Sequence, residues 1–220
     1  MCWNWEISLV SFVIISVVSY ALYQRGKPND KFLSIWIASY GSMQLFEMFQ
    51  WLGQGPAYQY LNIFGSLCGA LLLYLHPFAF ATGMTLDSAY SNIVSSTLFK
   101  GIIAFTVGFA LFGFYRVVTA YLEEPHRFIS VPHSSSKHMV WNYPSDYNIA
   151  GISMISIATL FIAPRYLLFY AGIMLYYLLP LIMIYITSDD KNKNILTNFS
   201  GTGSYWCWYV ATFAFLFYFR

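Results

Sequence analysis

The chain has 220 residues, of which 58% are hydrophobic, 21% aromatic and only 9% charged. A water-soluble domain carries roughly 25% charged residues, so a surface that faces water all round is excluded. The formal net charge of +2, with no basic stripe, also argues against nucleic acid as a partner and leaves a lipid bilayer as the expected surroundings.

The apolar residues fall in blocks of about 15 to 25, the length that crosses a hydrocarbon core of about 30 Å. Seven spans are predicted in chain order: 6–24, 31–54, 60–86, 101–122, 147–163, 166–187 and 205–219. Polar or turn-forming stretches separate them: RGKPND at 25–30, GQGP at 53–56, the region around Asp87, a long loop at 123–146, the Pro164-Arg165 turn and DDKNKN at 189–194. A backbone in lipid must satisfy its own hydrogen bonds, so long apolar spans imply helices. The expected fold is all-α, a single polytopic domain over 1–220 forming a seven-transmembrane-helix bundle. The fifth span is the shortest; if it does not cross, six spans remain and the last end changes side. The first segment lacks a basic n-region and a small-residue cleavage site, so it reads as a retained span rather than a signal peptide.

Orientation follows from Lys and Arg near the span ends. Arg25, Lys27, Lys31, Lys100, Arg165 and Arg220 gather on one side, and Arg127, Lys137, Lys191 and Lys193 on the other. The first set marks the cytoplasmic side, which puts the N-terminus outside and the C-terminus inside. Trp3, Trp5, Trp51, Trp206 and Trp208 then fall at outer span ends as an aromatic belt. Asn198 opens an Asn-Phe-Ser glycosylation sequon on the same side. Cys2 and Cys207 both reach the outer boundary, where two readings stay open: a disulfide in an oxidising compartment, or two free thiols at a packed interface.

Only Glu47, His76 and Arg116 are ionisable well inside the spans. A charge at the bilayer centre costs about 2.5–3.5 kcal/mol on the insertion scale, so such residues face the bundle interior and find partners. Glu47 lies four residues from Trp51 and Arg116 six residues from Leu122, about 6 Å and 9 Å below the same surface. The matching depths predict that they can pair. Tyr40, Gln44, Glu47 and Trp51 recur at helical spacing as one polar stripe, with Gln50 on its flank. The stripe is that of a helix lining a cavity. Against this functional reading stand a purely structural Glu47–Arg116 pair and an Arg116 that snorkels to the headgroups.

His76 sits deeper, directly before Pro77, which removes a backbone N–H and frees the carbonyl of Leu73, so a kink is predicted there. It serves either as a proton or ligand site or as a hydrogen-bonded packing residue. Gly65 and Gly69 form a GxxxG pattern that predicts close packing of this helix on a neighbour. The stretches GALLLYLHP (69–77) and GIMLYYLLP (172–180) share Gly, Leu, Tyr, Leu and Pro at matching positions, a faint inverted repeat. In the 123–146 loop, 128–131 and 138–143 read as two short strands joined by a Ser-rich turn. His126, His133 and His138 follow no compact zinc spacing, so a solvated cap over the outer mouth is expected there.

The lysines all lie in loops or at span ends, which excludes a retinal pigment with its Schiff-base lysine. No phosphate-binding glycine loop, paired-cysteine motif or HExxH occurs, so neither cofactor nor metal is expected and enzyme chemistry is not indicated. The motifs MCWN (1–4), SMQLFEMFQW (42–51) and GSYWCW (203–208) resemble a family of small seven-helix membrane proteins from large DNA viruses of algae and other protists. Gln44, Glu47 and Trp51 match its helix-2 motif, and Trp206-Cys207-Trp208 its last. The resemblance implies a viral protein in a host or virion membrane and brings no activity with it. The leading functional expectation is a channel or transporter that moves an ion, proton or small solute through an outward-facing cavity lined by Tyr40, Gln44, Gln50, Glu47 and Arg116, with His76 below. The alternatives are a receptor-like protein that binds a small ligand, and a structural viral membrane protein. Oligomerisation is compatible with all three.

Overall fold

The computed structural model describes residues 4–132, 139–141 and 218–219. Four long helices dominate them: α1 (Trp5–Arg25), α2 (Asp30–Leu52), α3 (Gln59–Leu86) and α5 (Thr97–Glu123), with a one-turn α4 (Ser91–Val94) before the last. Each of the first four expected spans is thus a helix. The three expected after residue 146, the 172–180 half of the repeat, Cys2, Cys207 and Asn198 lie outside the described residues, apart from Tyr218 and Phe219.

Local chemistry sets the helix ends. The Asn4 side chain accepts from the Ile7 N–H at 2.9 Å and caps α1. Gly26, at φ 64°, supplies the left-handed residue that stops it. In the RGKPND turn Arg25 grips Asp30 with two nitrogens, both at 2.7 Å, and the Lys27 N–H adds a third bond at 2.9 Å. Arg25 also donates to the Tyr218 carbonyl and covers its ring at 5.3 Å, tying the far end of the chain to this turn. Burial pushes the Asp30 carboxyl up, but the Arg25 and Lys27 hydrogen bonds and charges outweigh it and hold it below the ordinary carboxylate range. A depressed folded-state value stabilises above the unfolded pKa of about 3.9 and is lost as pH falls through the folded value. Thermal stability in detergent is therefore expected to fall on acidification below about pH 4, and Asp30→Asn to remove that part of the pH dependence.

Helix packing follows the small residues. The buried face of α1 is Ser8, Ser11, Ile15, Val18, Ser19 and Leu22, at spacings of three and four. Ser19 donates to the Ser34 carbonyl at 2.8 Å, and a side chain at Gly41 would run into Ile15. α2 lies between α1 and α3, so it is covered on two sides. α2 and α3 run antiparallel, with Phe32 beside Gly83, Tyr40 beside His76, Gln50 beside Gly65, and Asn62 beside Gly53. The close approach expected of Gly65 is present, against Phe46 and Gln50 of α2. α5 docks on α3 through Gly113, which receives the Tyr74 ring, and through Phe109 at 5.0 Å from that ring. α3 is continuous through Pro77.

After α5 the chain differs from expectation. Phe128, expected to open a strand over 128–131, instead ends a short 3-10 turn, Pro125–Phe128, and is buried against Tyr121. The strands that form are only β1 (Val131–Pro132) and β2 (Met139–Val140), paired antiparallel.

The polarity of the helices is turned inside out. Val10, Val13, Val17 and Tyr20 are exposed on α1 while serines are buried, and α5 exposes Leu98, Phe105, Leu111, Phe112, Phe114, Tyr115 and Leu122 while burying Thr106. By length and composition α1, the Pro56–Leu86 stretch and α5 are able to cross a membrane. The fourth long helix, α2, is not among them, because it carries the polar stripe.

Candidate functional site

The α2 stripe is fully inside the protein: Tyr40, Gln44, Glu47 and Gln50 are all buried, Glu47 with 0% exposure. Spacings of four, three and three keep these side chains on one face over ten residues, about 15 Å of helix. Gln50, expected on the flank, belongs to the buried face, whereas Trp51 is only half-buried.

α3 faces this stripe with polar groups of its own, which the sequence reading missed. Asn62 and Ser66 stand one turn apart and are both fully buried. Gln50 donates to the Ser66 hydroxyl at 3.2 Å, and the Asn62 amide donates to the Gln50 carbonyl at 3.2 Å. The segment after α5 completes the cluster. Asn62 donates to the Ser130 carbonyl at 2.8 Å and accepts from the Ser130 N–H at 2.8 Å, a reciprocal pair that treats the loop as a strand edge. The hydroxyls of Ser66 and Ser130 are 3.0 Å apart, and Gln54 donates to the carbonyls of Gln50 and Ser130 at 2.8 and 3.0 Å. Ser130, Phe128 and Met139 have no exposure. This loop seals the Trp51 end of the seam between α2 and α3.

His76 closes the opposite end. Its ring stands 4.1 Å from that of Tyr40, edge to face, and its Nδ1 is 2.5 Å from the Leu72 carbonyl one turn back. Beyond this level the seam turns apolar: Phe32, Leu33, Ile37, Ala81 and Met84 fill it, with the Phe32 and Phe80 rings 4.9 Å apart.

Comparison with known proteins adds nothing to this geometry. None of the family models, curated proteins or solved structures compared with it matches this chain.

The structure thus brings together Tyr40 and His76, and Gln50 with three residues not anticipated. Gln44 and Glu47 fall between these two groups on the same helix face. Arg116 lies on α5. It is exposed, on a helix that packs against α3, and the described contacts do not join it to Glu47. Among the described residues no three His, Cys, Asp or Glu side chains gather as a metal site. The arrangement offers one carboxylate, two amides, a phenol and an imidazole in a line, closed off from water. Such a line can bind a proton or a partly dehydrated cation.

Proposed function

We propose that the chain is an integral membrane protein of the channel or transporter type, caught in an occluded arrangement, in which Glu47 binds a proton or small cation between α2 and α3. The observation that carries this reading is the zero exposure of Glu47 on a helix face where Tyr40, Gln44 and Gln50 are buried with it. A carboxylate removed from water is expensive and persists where it has a task. The apolar outer faces of α1 and α5 support the bilayer as solvent. A seven-helix bundle with its N-terminus outside accords with the antiparallel α1–α2–α3 arrangement, and Glu47 then lies on the outer side of the membrane midplane. Arg116 has no part in this reading.

A second reading is favoured by the Asn62–Ser130 pair: the seam is a structural lock in which polar groups satisfy one another and nothing moves. Reconstituted liposomes separate the two. Wild-type protein is expected to pass protons or monovalent cations under an imposed potential, and folded Glu47→Gln to pass about a hundredfold less. Folded wild type that passes neither leaves the structural lock.

A further inference from the structure

We propose that His76 is a second proton-binding station, at the end of the polar seam, and that the species handled there is a proton rather than a metal cation. This deepens the proposed function and rests on it. A carbonyl oxygen only accepts, so the nitrogen 2.5 Å from Leu72 carries the hydrogen in the neutral ring. The remaining nitrogen, Nε2, then holds a lone pair. It is buried and has no hydrogen-bond partner among the described residues, although buried polar atoms are otherwise almost always paired. The backbone bond fixes the tautomer, and so presents a base at a set position.

The surroundings select the ligand. His76 stands where the seam changes from polar to apolar, with Tyr40 as the polar group facing it from α2. Glu47 lies seven residues along the same helix, about 10 Å. The charged residues of α5, Lys100, Arg116 and Glu123, are all exposed and bring no charge to the ring. α3 itself carries no acidic or basic residue other than His76, and Asp87 lies three turns away beyond its end. An alkali or alkaline-earth cation takes several oxygen ligands, and among the described residues one phenol with one imidazole does not supply them. A proton needs a single lone pair. When it arrives along the seam an N–H bond forms at Nε2 and the ring becomes imidazolium; loss of the same proton restores the neutral tautomer, with nothing oxidised or reduced.

The experiment pairs flux with direct observation of the ring. Wild type, Glu47→Gln and His76→Asn are reconstituted, and proton and potassium flux are each measured. Asparagine keeps an N–H for the Leu72 carbonyl but has nothing at the Nε2 position. The wild type and a variant in which His126, His133 and His138 are each replaced by Gln, leaving His76 as the one histidine, are labelled with 15N-histidine and followed by NMR in lipid nanodiscs, so the His76 signal is the one that remains. The proposal expects proton flux to fall about a hundredfold in His76→Asn, and the wild-type ring to gain and lose a proton reversibly between about pH 4 and 8. A ring that stays neutral over that range overturns it, whether or not His76→Asn folds. So does proton flux unchanged in folded His76→Asn, or potassium flux that depends on Glu47 alone; both leave the transport reading standing. Absence of any flux in folded wild type removes the transport reading and this inference with it.

Discussion

Gly65→Leu is expected to abolish recovery of monodisperse protein, the largest effect of any single substitution considered. A Cβ at this position would collide with the Phe46 carbonyl oxygen and stand 3.0 Å from Gln50 Cγ and 3.1 Å from the Gln50 nitrogen. Two of these three atoms are helix backbone and cannot turn aside, so α2 and α3 must separate. Forced overpacking costs typically 1–3 kcal/mol, and a cost of about 3 kcal/mol or more is expected where the obstacle is main chain. Separation would also break the Gln50–Ser66 bond and admit water or lipid to Glu47. Gly108→Leu is the matched control, because a Cβ there meets nothing within 4 Å. It should be recovered normally. Size-exclusion profiles of the two variants in detergent check the pair; equal recovery would mean that the helices do not approach as closely as they do here.

Asn62→Leu is expected to be the next most damaging. Its side chain serves both backbone groups of Ser130, and its loss leaves the Ser130 N–H buried without an acceptor. An unsatisfied buried group costs about 1–3 kcal/mol, and the Gln50 carbonyl loses one of its two donors as well. A loss of about 3 kcal/mol is expected, with segment 128–132 released from the end of the seam. Ser66→Ala removes only side-chain bonds and should cost about 1 kcal/mol. Melting temperature and the rate of proteolysis near residue 130 measure both. If Asn62→Leu melts with wild type and its loop stays protected, the reciprocal pair does not hold the loop.

The helices were legible because a bilayer-length apolar run is a strong signal. Ranges 6–24, 31–54 and 60–86 meet α1, α2 and α3 to within about two residues. The 101–122 span begins earlier, at Thr97, because Ser96 caps the helix by accepting from the Phe99 N–H. Inside the helices, periodicity also worked: a glutamate flanked by glutamines at helical spacing had to be buried, and it is. What periodicity along one helix cannot show is register between two. Tyr40 meets His76 only because α2 and α3 are antiparallel with Gly53 beside Asn62, and nothing in either stretch states that alignment. Ser130 was invisible for the same reason, lying 68 residues from Asn62. Depth alone suggested the Glu47–Arg116 pair, and depth does not state the direction in which a helix turns its side chains. Arg116 lies beside the packed stripe of Phe99, Thr106, Gly113 and Val117 on α5 and faces outward.

The central claim is that Glu47 takes up and releases its charge partner while held inside the protein. Infrared difference spectra of the protein in lipid film, recorded as the pH of the medium is cycled, observe this directly through the carboxylic acid C=O band. The expected result is a band of a buried acid that appears on acidification, reverses on return, and is absent from Glu47→Gln. A spectrum identical in wild type and Glu47→Gln across the cycle would contradict the claim, and would make Glu47 a fixed part of the lock between α2 and α3.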